Sequence, residues 1–210
     1  MDLLSLLDRL AAGEDPPADA SVTTVPAPLG APALVVGGSA WHVVAADVDP
    51  VWVAAQVASD PIAAPLGARF LTALADEVGV EPGVIDSVLV APPAPASPGV
   101  ELVEVEPFGH PRVERALTHR TGVRVWTTPD ASALISLGRG VCGRWEVSTE
   151  VDPAARGRGL GTALAAAAPA LVPGGAPLWA QVAPANTASL RSFLAAGYRP
   201  VCAETLFGSA

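Results

Sequence analysis

Leucines at positions 3, 6, 7 and 10 open the chain. That spacing lays one apolar stripe along a short helix, which Gly13 can end. Residues 13–32 turn to Pro, Ala and Asp without a period and read as a linker. Two apolar runs, 33–36 and 41–45, flank Gly37-Gly38-Ser39 in the pattern of a hairpin. Asp49-Pro50 then supplies an N-cap and a first-turn proline for a short helix. A second helix is predicted over about 66–78, with Phe70, Leu71, Leu74 and Val78 on one stripe. Residues 84–90 read as a strand.

Pro92, Pro93, Pro95 and Pro98 break the next stretch, 91–99, which can continue no regular element. The boundary between an N-terminal α/β segment (1–95) and a second domain (99–210) is placed there. Beyond it the order is regular. A strand at 100–105, a helix at 111–120 and a strand at 123–127 lead to two strands, 133–137 and 142–151, around Gly138-Arg139-Gly140. A helix at 159–168, a strand at 178–182, a helix at 186–196 and a strand from Tyr198 complete it. Strands and helices mixed in this way predict an α/β (α+β) fold.

Charge sharpens the division. All 12 basic residues are Arg. Without lysine, a Walker-type phosphate loop, a pyridoxal Schiff base and a lysine general base are excluded. The net charge of −9 conceals an asymmetry: residues 1–111 carry 2 Arg against 15 acids, and 112–210 carry 10 Arg against 6. The second half is basic. It has no basic stripe with interleaved aromatics, so extended nucleic-acid binding is not expected.

Cys142 and Cys202 lie in apolar runs and read as reduced, buried thiols of a cytoplasmic protein. Scattered His42, His110 and His119, without HExxH or CxxC, give a metal site no support. The N-terminus lacks the basic start of a signal peptide, and Gly or Pro interrupts every long apolar stretch. No membrane partner is expected. Trp41, Trp52, Trp126, Trp145 and Trp179 are assigned to the core.

The sharpest local feature is Arg156-Gly157-Arg158-Gly159-Leu160-Gly161, between a strand and a fresh helix. The free N–H groups of such a helix start bind anions, and two Arg side chains add bidentate phosphate donors. An exposed turn that merely needs glycine dihedrals is the other reading. The spacing is not that of a Rossmann turn, because the third Gly comes one residue early.

This segment resembles the GNAT superfamily of acyl-CoA-dependent N-acyltransferases. Arg156, Gly159 and Gly161 match its Arg/Gln-x-x-Gly-x-Gly/Ala signature, preceded by Val151 and Pro153. A second stretch agrees: Asn186-Thr187-Ala188-Ser189, then Leu190, Phe193, Gly197 and Tyr198. The resemblance covers about residues 99–206. It implies a mostly antiparallel sheet flanked by helices, and acetyl-CoA or another acyl-CoA as co-substrate without a metal.

By the same resemblance, the amides of Arg156, Gly157, Arg158, Gly159, Leu160 and Gly161, with Thr162, hold the pyrophosphate. The strand end at Glu150 and Val151 pairs with the pantetheine arm, and Asn186, Ser189 and Phe193 lie on the cofactor side. Asn186 is equally well read as a plain N-cap. The acceptor is a small-molecule or peptide amine, and a homodimer is left open. Residues 31–90 supply either acceptor-side cover or a degenerate GNAT-like half.

Such enzymes use direct attack of the amine on the thioester, which agrees with a chain lacking a G-x-S-x-G elbow. Strand alternation puts Glu146, Ser148 and Glu150 on one face, and Trp145, Val147 and Val151 on the other. Carboxylates on an interior strand are costly unless solvated or in use, so that face is expected to border a wet cavity. Glu146 is the preferred base, with Glu150 beside it; a salt bridge to a nearby Arg is the competing reading of Glu146. The family's frequent acid, a Tyr seven residues after the Asn, is Phe193 here. A thiol with an ordinary pKa of about 8.5 can leave without one. The alternative function is an acyl-CoA-binding or regulatory module with impaired turnover.

Overall fold

A computed structural model describes residues 2–91 and 99–208. The proline-rich boundary expected at 91–99 therefore lies almost wholly outside the described residues. In chain order the elements are α1 (Leu3–Ala12), β1 (Ser21–Val25), β2 (Ala33–Gly38), β3 (Trp41–Ala46), α2 (Pro50–Val57), α3 (Ala68–Val78) and β4 (Asp86–Ala91). They continue as β5 (Val103–Val105), α4 (Pro111–His119), β6 (Thr121–Thr127), β7 (Ala133–Arg139), β8 (Trp145–Val151), α5 (Leu160–Ala167), β9 (Leu178–Val182), α6 (Thr187–Ala195) and β10 (Arg199–Leu206). The fold is mixed α/β with mostly antiparallel strand pairing and flanking helices.

The chain divides into two compact units, Met1–Val88 with Val201–Ala210, and Leu89–Pro200. In the first, Asp2 caps α1 by accepting the Ser5 amide (2.8 Å), Gly13 ends it at φ +88°, and all four stripe leucines are buried. β2 and β3 form the expected hairpin, tightened because the Trp41 ring lies on Gly38, where a Cβ would stand 2.2 Å from it. α3 buries Phe70, Leu71 and Leu74 against Val35, Val44 and Phe207.

The expected linker is corrected here. Val22-Thr23-Thr24-Val25 forms β1, which pairs parallel to β3. Four β-branched residues outweighed the breakers on either side.

The second unit carries β9, β8, β7, β6 and β5 in that order. One face packs Trp126, Ile135, Leu137 and Val147 against Leu164 of α5 and Phe193 of α6. The other packs Val125 and Leu134 under Val113 of α4. The strand expected from Cys142 starts only at Trp145. Residues 140–143 form a turn with Cys142 at φ +52° and Gly143 at +73°. Neither cysteine is in a disulfide among the described residues, and both are half-buried rather than buried, since that turn and β10 leave them at the margin of the packing. The tryptophans are core residues as expected, with Trp52 half-buried against Phe70.

Candidate functional site

The site begins where two parallel strands separate. β8 and β9 pair only at Trp145↔Leu178 and Glu146↔Trp179. Beyond that point β8 runs on to Val151 and β9 to Val182, with no further pairing between them among the described residues. The strand end leads through a single turn at Pro153–Ala155 into the glycine segment. Gly157 and Gly159 sit at φ +78° and +80°, the left-handed region in which glycine is unstrained. Gly159 is the N-cap of α5, and the first backbone bond into the helix is Ala163 N–H to its carbonyl (3.0 Å). Among the described residues, the amides of Leu160, Gly161 and Thr162 have no backbone acceptor. These are the free donors of a helix start, at the positive end of its dipole.

Gly161 does a different job from its neighbours. A Cβ there would stand 3.0 Å from Ser192 Oγ, so the small residue lets α5 lie close to α6. Arg158 is exposed. Arg156 is not turned towards the glycine turn: its Nε donates to the Val151 carbonyl (3.0 Å) and its Nη2 to Glu150 Oε1 (3.1 Å). It straps the strand end to which the pantetheine arm was assigned.

Glu150 is where the expected wet face lies. The β7–β8 register pairs Leu134 with Glu150, Ser136 with Ser148 and Gly138 with Glu146, which puts the three β8 polar residues on the α4 face. Glu150 lines a cavity of about 590 Å³, together with His110, Arg112 and Arg115 of the α4 start, and Asp152 and Arg156. Its second oxygen accepts from Arg112 Nη2 (3.1 Å).

Glu146 does not border that cavity, and the expectation that it does is corrected. Its side chain is 7% exposed, Oε2 accepts from Arg120 Nε (3.1 Å), and Oε1 accepts from Arg144 Nε (2.9 Å) and from the Val141 amide (3.2 Å). Burial, the largest influence, pushes this carboxyl up, but Arg144 and Arg120 outweigh it and hold it below the ordinary range. A carboxylate so favoured in its ionised form accepts protons poorly. Gly140 is required beside it, because a Cβ there would meet the Glu146 carboxylate at 2.2 Å.

On α6, Asn186 is an N-cap, with Oδ1 accepting the Ser189 amide (3.1 Å). Asn186→Ala is expected to lower stability by about 1 kcal/mol in denaturant melts without ligand, and Asn186→Asp to restore it. Phe193, assigned to the cofactor side, is 3% exposed and packs edge-on to Tyr198 at 4.8 Å. Tyr198 cannot replace the missing acid: its hydroxyl is buried without a partner among the described residues, and burial pushes its pKa up.

Among the described residues, no cluster of His, Cys, Asp and Glu could hold a metal ion, and no helix is long and apolar enough to cross a membrane. The sequence reading missed His110, Arg112 and Arg115. Their signal was the i, i+3 arginine pair opening the 111–120 helix.

The fold is similar to that of solved structures at low identity, among them proteins described as GNAT or GCN5-related N-acetyltransferases. A GCN5-related N-acetyltransferase from Kribbella flavida is 17% identical with a TM-score of 0.44, over 87% of this chain and 89% of that one. A tandem GNAT protein from the clavulanic acid biosynthesis pathway is 14% identical, TM-score 0.41, over 65% and 57%. A Drosophila protein is 18% identical, TM-score 0.44, over 65% and 55%. The chain spans little more than half the length of the last two. No family model and no curated protein matches it.

Proposed function

We propose that the chain is an acyl-CoA-dependent N-acyltransferase, most simply an N-acetyltransferase acting on a primary amine. One observation carries the reading: two parallel strands part after two paired residues, directly ahead of a glycine turn whose helix amides are free. The parted strand offers backbone groups to an extended amide-bearing arm, and the helix start offers N–H donors to a diphosphate. The residues suit that cofactor. Leu160, Gly161 and Thr162 would hold the diphosphate, Arg158 would add charge, and residues 147–151 would face the arm.

The bound thioester supplies the activated acyl carbon. Glu150 takes the proton of the incoming ammonium, since it lines the cavity and its two arginine partners are at least partly exposed, whereas Glu146 is buried together with both of its guanidiniums. In the attack the amine nitrogen would bond to the acyl carbon and the C–S bond would break, and the second proton shed by the nitrogen would pass through water to the departing thiolate. Arg156 must leave Val151 and Glu150 for this. Its release to the phosphates would free both the strand carbonyl and one Glu150 oxygen.

Thermal melts test the reading: CoA should raise the melting temperature, and ATP and NAD should not. Absence of a CoA effect overturns it. The burial of the chain's one phenol, on Tyr198, favours a second reading, a CoA-binding module without turnover. Thiol release from acetyl-CoA across a panel of amines separates the two.

A further inference from the structure

The charge of the 590 Å³ cavity specifies its ligand. Three guanidiniums line it, from Arg112, Arg115 and Arg156, against the carboxylates of Glu150 and Asp152. Glu150 is already shared, one oxygen each, between Arg112 and Arg156. Arg115 has no ion-pair or hydrogen-bond partner among the described residues, and Arg112 Nε is buried without one. These two side chains stand three residues apart on α4 and so on adjacent ridges of one face.

His110 adds a third donor. Its Nδ1 accepts the Arg112 amide (3.1 Å), which leaves the proton of the neutral ring on Nε2. Asp152 has no side-chain partner among the described residues and can meet a cation at the mouth of the glycine turn. Phe108 and Leu134 supply apolar wall between these groups. A volume near 590 Å³ suits a small molecule rather than a folded partner.

We infer that the cavity takes a small primary amine that also carries an anionic group, a carboxylate or a phosphate. Arg115, Arg112 Nε and His110 Nε2 hold the anion, and Asp152 and Glu150 hold the ammonium. That this ligand is the acyl acceptor rests on the function proposed above; that it binds does not. Such a ligand runs against the bulk charge, since an acidic protein would be expected to draw cationic amines.

The test uses matched pairs on the full chain: β-alanine against β-alaninamide, and phosphoethanolamine against ethanolamine. Binding is followed by ligand-observed NMR without CoA, and turnover by thiol release from acetyl-CoA. The anionic member should bind at least about tenfold tighter, because an unpaired guanidinium gains a charge-assisted pair. The first pair against the second shows which anion fits. Arg115 is exposed, so its substitution spares the core. Arg115→Gln should collapse the preference towards one, and Arg115→Lys should keep most of it. Equal or tighter binding of the partners that lack the anionic group, or a preference that survives Arg115→Gln, overturns the inference. Anion-dependent binding without CoA stabilisation upholds the cavity and overturns the acyltransferase reading. CoA stabilisation without anion preference does the reverse.

Discussion

Gly159→Glu should fold and yet lose all stabilisation by CoA. At φ +80° a non-glycine residue costs about 1–2 kcal/mol of backbone strain. A Cβ at that position meets nothing within 4 Å, so strain is not compounded by a clash. The new carboxylate would stand at the start of α5, take up the free amides itself, and repel a diphosphate from the same spot. Wild-type protein at 100 times its dissociation constant should gain about 2.7 kcal/mol, a rise of about 5–10 °C for a chain of this size. The variant should show none of it. Gly159→Asn, which tolerates the left-handed region without adding charge, should keep most of the shift. A folded Gly159→Glu protein with the full CoA shift would remove the glycine turn from the site.

Most of the elements were legible because their signals are local. The leucine stripe of α1, Asp49-Pro50 at α2 and the alternation of β8 each report on backbone geometry a few residues wide. β1 was missed because breakers surround a run of four β-branched residues, and only its pairing with β3 decides the matter. The glycine turn was legible for the same local reason. Its side-chain geometry was not. Arg156 and Arg158 are two residues apart, yet one straps the strand end and the other is exposed. Glu146 and Glu150 share a face, as alternation requires, and still have opposite surroundings. α4 brings Arg120 over one and the open cavity over the other. Which part of a helix covers which part of a strand is set by packing, and neither periodicity nor spacing encodes it.

That difference gives Glu146→Gln the second large effect, on stability rather than on chemistry. The carboxylate sits between two guanidiniums with side chains only 10% and 4% exposed. Removing its charge takes the shared carboxylate away from two buried cations, a loss of about 3–5 kcal/mol in urea unfolding at neutral pH. The pH dependence follows from the direction of the shift. The folded-state pKa lies below the ordinary glutamate value, so the carboxylate's contribution is fully present above that value and is lost as pH falls through the folded pKa. The stability gap between wild type and Glu146→Gln should therefore be widest near neutrality and shrink in the acid range below pH ~4. Adding Arg120→Met to the variant removes one of the stranded charges and should recover part of the loss. A base would behave otherwise. Glu146→Gln would then retain wild-type stability at every pH while thiol release collapsed, and that pair of results would return Glu146 to the chemistry.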